Sequence, residues 1–320
     1  VRAIVLGVNG LTGRAIAAEL AAAGWEVTGT GRDRSRFPSK LAQAGVAFVR
    51  SDRHVPAELR AVLTAGADVV VDCVCYTADQ ARLLLASADG IGSIVALSSK
   101  AVYVDDHGRH SNSAEPPDFG GPVPESCAVM EPDFSGDYRS REGYGANKVA
   151  MECVLRDSPV PVSIVRPSRI HGRGAARPRE WYVVSRLMRG QRRFPLAHAG
   201  RTGNHPTAAV NLARLVRACA EQPASRVLNA ADPGSPTAAE IVAAIGAICG
   251  VTVDIVDDQQ RRWNPWDTWP PFFLAMDAAH GIGYAPVGTY GETVSAVVEE
   301  LVQLDPERRR TLDADPYFDR

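Results

Sequence analysis

Arg2-Ala-Ile-Val-Leu-Gly7-Val-Asn9-Gly10-Leu11-Thr12-Gly13 stands at the start of the sequence. Its short apolar run, within residues 2–8, reads as a buried strand of a parallel sheet. The run meets a glycine-spaced turn, and the alanine-rich residues 12–23 read as the helix that follows. Glycines here allow a tight turn and close backbone approach to a pyrophosphate. The helix N-terminus adds free N–H groups and a positive dipole end. The spacing is G-x-x-G-x-x-G, not the commoner G-x-G-x-x-G. A glycine triplet alone also makes plain turns, but between a strand and a helix it reads as a dinucleotide-binding element.

Working outward, further strands are expected at 25–30, 46–50, 67–74, 91–97 and 160–165. Helical segments at 38–44, 56–65, 78–88 and 144–156 fall between most of them. This alternation means βαβ units and an α/β fold with a doubly wound parallel sheet, its crossovers right-handed. The pattern changes after about residue 170. Helices at 180–190, 208–221, 236–248 and 289–304 then mix with short strands at 226–229 and 252–256. The expected division is a dinucleotide-binding domain over 1–170 and a smaller α+β substrate-binding region over 171–320, partly interwoven with the first. Residues 105–143, rich in Pro, Gly, Asp and Ser, are irregular for so long that they read as a functional loop or as disorder.

The bulk numbers fit that plan. The chain has 320 residues, 45% hydrophobic and 22% charged, as in ordinary globular proteins. A formal net charge of −2 gives no general attraction to nucleic acid or to an acidic membrane. The six cysteines form no Cys-x-x-Cys pair and no grouping with zinc spacing, so no metal is expected and a reducing compartment suits them. No membrane span and no export signal can be read, which points to the cytoplasm.

The end of the second strand bears on the cofactor. A carboxylate about 20 residues past the glycines binds the ribose 2′-hydroxyl of NAD, whereas an arginine accommodates the 2′-phosphate of NADP. Here the strand runs Thr28-Gly29-Thr30-Gly31-Arg32-Asp33-Arg34. Gly31 at the strand end and Arg32 after it favour NADP(H), with Arg14 also in reach. Asp33 argues the other way and leaves NAD(H) open.

Tyr144 and Lys148 share one helix face in Tyr-Gly-Ala-Asn-Lys. Free tyrosine titrates near pH 10, too high for a good base, and a nearby ammonium stabilises its phenolate. Such a tyrosine protonates a carbonyl oxygen or deprotonates an alcohol. A second hydroxyl on the same oxygen is wanted for developing charge. Ser98-Ser99 closes the fifth strand, at the sheet edge where ligands bind. A lone Tyr-x-x-x-Lys is more often a surface pair; its place after a glycine turn, five strands and a strand-end serine argues for catalysis.

At this point the sequence resembles the short-chain dehydrogenase/reductase superfamily, in its extended branch of NAD(P)-dependent epimerases and dehydratases. The carrying residues are Gly7, Gly10 and Gly13, Ser99 with Val102-Tyr103, Tyr144 with Lys148, Arg166-Pro167, and Ile282-Gly283-Tyr284-Ala285-Pro286. Within the branch it is similar to relatives of the plastid stem-loop RNA-binding proteins and to bacterial reductase-like proteins. The resemblance implies a Rossmann-type sheet with Ser99, Tyr144 and Lys148 catalytic. It places Asp52 and Arg53 near the adenine, Val74, Cys75 and Tyr76 along the cofactor, and Pro167 to Ile170 past the nicotinamide amide. In that family the Tyr144 helix commonly forms a dimer interface, so a homodimer is one expectation. The chain departs from the family at four points. Lys100-Ala101 replaces the dehydratases' Asp-Glu pair, which argues against sugar 4,6-dehydration. His171-Gly172 stands for Tyr-Gly, the loop before Tyr144 is long, and Gly31 replaces the NAD-type aspartate.

Other residues carry less. His171 reads better as a loop histidine than as a substrate contact. Trp263, Trp266 and Trp269 read better as packing than as a stacking platform. Arg186 and Arg189 suit a diphosphate or, equally, a solvated helix face. The expected function is NADP(H)-dependent hydride transfer on a secondary alcohol or ketone of a small or sugar-like molecule. Nucleotide-sugar epimerisation with bound NAD is the alternative. A non-catalytic cofactor-binding or RNA-binding protein is the third, opposed by the intact Ser-Tyr-Lys set and the net charge.

Overall fold

The first strand, β1 (Arg2–Leu6), buries Ala3 through Leu6 because neighbouring strands flank it and helices cover both its faces. The computed structural model describes residues 1–258, 260 and 263–318. The other strands are β2 (Glu26–Gly31), β3 (Ala47–Arg50), β4 (Val69–Asp72), β5 (Ile94–Leu97), β6 (Val162–Pro167), β7 (Ile170–His171), β8 (Arg193–Leu196), β9 (Thr207–Ala208), β10 (Arg226–Ala230) and β11 (Asp254–Asp257). The helices are α1 (Leu11–Ala22), α2 (Ser39–Gln43), α3 (Pro56–Leu63), α4 (Ala78–Leu85), α5 (Gly143–Arg156), α6 (Trp181–Met188), α7 (Ala209–Glu221), α8 (Ala238–Ile248), α9 (Asp277–Gly281), α10 (Tyr290–Val302) and α11 (Pro306–Asp313).

Seven parallel strands form the central sheet in the order β10-β6-β5-β4-β1-β2-β3. The chain begins in the middle, runs to one edge through β2 and β3, then returns to β4 on the other side of β1. That reversal opens a crevice at the carboxyl ends of β1 and β4, where ligands of such sheets bind. The valines of β4 are buried throughout, as β-branched residues covered on both faces should be. On one face, Ile16, Ala17 and Leu20 of α1 pack with Leu212, Leu215 and Val216 of α7. On the other, Leu59 and Leu63 of α3, Ala81 and Leu84 of α4, and Met151 and Leu155 of α5 form a second core. Each fully buried leucine contributes about 2 kcal/mol of apolar burial. A third core joins α6, α8, α10 and α11, with Trp181, Trp266 and Tyr290 inside it.

The sheet differs from the sequence reading at one strand. Residues 226–229 were expected among the later α+β elements, but β10 pairs with β6 from Arg226↔Ser163 to Ala230↔Pro167 and becomes an edge of the main sheet. A short apolar run carries no information about which strand it will pair with, so its place had to come from tertiary structure. Segments β7, β8, β9, α9 and α11 were not anticipated; two are strands of only two residues and α9 is a helix of five.

Residues 105–142 contain no regular element, α5 beginning at Gly143, yet the loop is tied down at several points. The Asp105 carboxylate accepts from the backbone N–H groups of His107, Arg109 and Asp118 and from Arg109 Nε. Val123 lies beside Leu274 in a parallel bridge, and Asp133 accepts from Asn147 Nδ2 of α5 at 2.8 Å. Tyr138 stacks on Tyr76, ring centroids 4.9 Å apart. Of the two readings offered by composition, the structure therefore takes the ordered loop.

Candidate active site

The glycine turn is built for close approach. Gly7 has φ +87°, a conformation that side chains resist, and a Cβ there would press on Val74 Cγ1 at 2.8 Å. A Cβ on Gly13 would collide with the Gly7 carbonyl oxygen, so α1 seats directly on the turn. Gly10 N–H donates to the Gly7 carbonyl at 3.0 Å, while Gly10 itself is exposed and Leu11 and Thr12 are half-buried. Asn9 donates through Nδ2 to the Asp33 carbonyl at 2.7 Å, and its buried Oδ1 has no partner. A Cβ on Gly31 would meet that same Asn9 amide, which is why the strand end carries no side chain. The cradle and the bare helix start fit a dinucleotide pyrophosphate, and the orphaned Asn9 oxygen, an acceptor, fits a hydroxyl donor such as that of a ribose.

At the ribose end, Arg32 is exposed at the close of β2. Asp33 turns back on its own loop, accepting from Ser35 N–H at 2.9 Å and from the Ser35 hydroxyl at 2.7 Å. The Ser35 bonds hold its carboxyl below the usual range. Asp52 lies at the end of β3 and accepts from His54 N–H. Arg53 is turned inward instead, ion-paired with buried Asp72 at the end of β4. Val74 is half-buried against Gly7, Cys75 is fully buried, and Tyr76 is half-buried. Pro167 pairs with Ala230 at the end of β6, and Ile170 pairs with Thr207.

The catalytic candidates converge at the carboxyl ends of β4 and β5. Lys148 is only 2% exposed, and its ammonium donates to the Cys75 carbonyl at 2.6 Å and the Leu97 carbonyl at 2.8 Å. The Tyr76 ring lies 4.4 Å from Lys148 Nζ and 6.5 Å from the Tyr144 ring. Burial, then the neighbouring Tyr144, pushes the Tyr76 hydroxyl up to about 12. Ser99 is half-buried and caps a 3₁₀ turn, its Oγ accepting from Ala101 N–H at 3.1 Å. That bond uses a lone pair and leaves the Ser99 O–H free to donate. The Tyr144 turn of α5 seats on this same turn: a Cβ on Gly145 would overlap the Ala101 carbonyl and meet Met130 Sδ.

Beneath the site runs a buried polar network that sequence reasoning missed. Ser98 Oγ donates to Glu152 Oε1 at 2.5 Å, and Arg166 clasps the same carboxylate through Nε at 3.0 Å and Nη2 at 2.5 Å. Burial works against the Arg166 charge, but the Glu152 contacts outweigh it and raise its pKa. The network ties α5 to β5 and β6 and so fixes Tyr144 relative to Ser99. Glu152 lies one helical turn beyond Lys148, which was a readable signal.

The secondary candidates are engaged by partners within the chain. His171 is buried, its Nε2 2.8 Å from Asp232 Oδ2. Trp263 and Trp266 belong to the third core, and Trp269 stacks on His198. Arg186 donates to the Tyr182 and Phe318 carbonyls, and Arg189 pairs with Asp313 at 2.7 Å. The cysteines are free, and the described residues contain no group of His, Cys, Asp and Glu able to hold a metal. No helix among the described residues is long and apolar enough to cross a membrane.

Fold and site together define a class, the NAD(P)-dependent enzymes of the extended short-chain dehydrogenase/reductase type. Within it the chain belongs to the NAD dependent epimerase/dehydratase family, whose model matches residues 3–201. No curated protein matches it. Among solved structures it is similar to a Burkholderia cenocepacia J2315 protein at 22% identity and TM-score 0.73, over 94% of this chain and 97% of that one. It is also similar to a Stenotrophomonas maltophila UDP-glucose-4-epimerase with bound NAD, at 16% identity and TM-score 0.72, over 98% of each chain. A Bacillus cereus UDP-glucuronic acid 4-epimerase in complex with UDP-glucuronic acid and NAD follows, at 15% identity and TM-score 0.69, over 95% and 100%.

Proposed function

We propose that the chain is an NADP(H)-dependent oxidoreductase acting on a secondary alcohol or ketone of a small or sugar-like molecule. Residues 1–170 would bind the dinucleotide and residues 171–320 most of the substrate. The observation that carries this reading is the seat of α5. Gly145 rests on the turn capped by Ser99, while Lys148 is anchored to the ends of β4 and β5. When bound, the nicotinamide supplies or accepts hydride. Tyr144 gives its hydroxyl proton to the substrate oxygen during reduction and takes it back during oxidation. Ser99 donates a hydrogen bond to that oxygen as charge develops on it. Lys148 keeps a positive charge beside the phenolate that forms when Tyr144 loses its proton. Tyr76 and Tyr138 wall the site on the side of the long loop.

The preference for NADP(H) rests on exposed Arg32, on the bare Gly31 and on Asp33 being engaged by Ser35. Tyr144→Phe is the test of the chemistry. The expected loss in kcat is about 100-fold or more, the range of a removed general acid–base. Unchanged turnover on a true substrate would sink the mechanism.

A second reading, epimerisation of a nucleotide sugar with retained NAD, draws on the UDP-sugar epimerases among the similar structures. Nicotinamide absorbance separates the two. An oxidoreductase changes it with every turnover, and an epimerase leaves no net change.

A further inference from the structure

Three cations, Lys100, Arg169 and Arg179, meet no carboxylate among the described residues. Lys100, which directly follows Ser99, is 8% exposed. Its ammonium donates to Asn204 Oδ1 at 2.5 Å and lies 3.8 Å from the Phe272 ring centroid, both neutral partners. Arg169 follows the end of β6, with φ +23°, a backbone strain for a residue with a side chain. Its buried Nε has no hydrogen-bond partner. Arg179 donates through Nη1 to the Ile170 carbonyl at 3.0 Å, and its own buried Nε is also unpartnered. Among the described residues, none of the three forms an ion pair.

The groups also repel one another. Burial pushes the Lys100 ammonium well below its ordinary pKa, and Arg169 and Arg179 push it further. Burial pushes Arg169 down to about 10, with Arg179 adding to the effect. Two arginines and a lysine held this way cost stability unless something compensates them. A structural role would be served better by apolar residues of similar size, and a surface role would leave the charges in water. The complement of such a set is an anion, since guanidinium forks and an ammonium are charge-assisted donors.

We propose that Lys100, Arg169 and Arg179 bind an anionic group of the substrate, a carboxylate or a phosphate, beside the carbon that reacts. The proposal rests on the catalytic reading above and narrows its substrate class to an anionic alcohol or ketone. Lys100 occupies the chain position after Ser99, and Arg169 lies in the segment expected to pass the nicotinamide. The anionic group is thus held on the sheet edge where hydride and proton are exchanged, and it sets which substrate carbon faces Tyr144.

The test is anion binding by the whole chain, followed by thermal shift and calorimetry. Inorganic phosphate and malonate are the probes, with sodium chloride at matched ionic strength as control. Saturable stabilisation by phosphate, by malonate or by both, absent with chloride, is the expected result. Phosphate alone assigns a phosphate ester; malonate alone assigns a carboxylate. Lys100→Met and Arg169→Gln are each expected to weaken the binding by about tenfold or more, the scale of one lost charge-assisted contact. Arg169→Gln is also expected to melt higher than wild type in anion-free buffer, because it relieves buried repulsion; a purely structural arginine would give the opposite shift. Tyr144→Phe should bind the anion like wild type. An anion response that survives in Tyr144→Phe while turnover is lost therefore keeps the two claims apart. No saturable wild-type response to either probe overturns the proposal, whether or not the variants fold, and leaves the catalytic reading standing.

Discussion

Gly145 lies against the Ala101 carbonyl oxygen so closely that no side chain fits between them. The contact joins the helix turn bearing Tyr144 to the turn capped by Ser99. Gly145→Ala must push the two apart or shift the helix. The expected outcome is destabilisation of about 1–3 kcal/mol, the usual cost of overpacking. The loss in kcat should exceed what that destabilisation explains, because the two hydroxyls no longer meet one oxygen. Thermal melting and steady-state kinetics on the same preparation check both; normal kcat would show that the seat is not needed.

Lys148 is anchored by two backbone carbonyls. Lys148→Met keeps the stem and removes the charge, leaving both carbonyls to lose a donor. Stability should fall by about 1–3 kcal/mol for the stranded acceptors. Turnover should fall by at least about 100-fold, if the ammonium supports the phenolate. A variant that melts early but turns over normally would assign Lys148 to structure alone.

Arg32 is the residue on which the NADP(H) proposal can be judged. Arg32→Glu replaces an exposed cation with an anion where a 2′-phosphate is expected. Dissociation constants from nicotinamide fluorescence should rise about tenfold or more for NADPH and stay level or fall for NADH. Equal effects on both cofactors would remove the preference.

Asp105 holds together the first part of the long loop. Burial opposes its charge, but the N–H donors of Asp118 and Arg109, the Arg109 side chain and the His107 N–H keep its carboxyl well below the usual range. A folded pKa below the unfolded one means the stabilisation is complete above the ordinary carboxylate pKa of about 4. It is lost as the pH falls from there through the folded value. Asp105→Asn should therefore melt a few degrees lower than wild type, by a constant margin between about pH 8 and pH 5. The margin should shrink below about pH 4. A margin that widens on acidification would contradict this direction.

Much of the fold was legible because its signals are local. The apolar run to Leu6, the glycines from Gly7 to Gly13 and the buried valines of β4 each specify a strand or a turn within a few residues. The Tyr144–Lys148 spacing was legible for the same reason. The partners of β10 were not, because pairing with β6 depends on residues more than 60 positions away. Nor could composition decide the state of residues 105–143, since the contacts that order this loop run to α5, Tyr76 and Leu274.

By itself, then, the sequence determined a doubly wound sheet, a glycine turn between β1 and α1 and the Tyr144–Lys148 spacing, because periodicity and glycine conformation act over one turn or one strand. Tertiary structure alone decided that Arg53 turns to Asp72 and that Glu152 and Arg166 brace the helix that carries Tyr144. It alone brought Lys100, Arg169 and Arg179 into a shared field. Charges far apart in the chain interact only through distance and burial, and neither is written in the order of the residues.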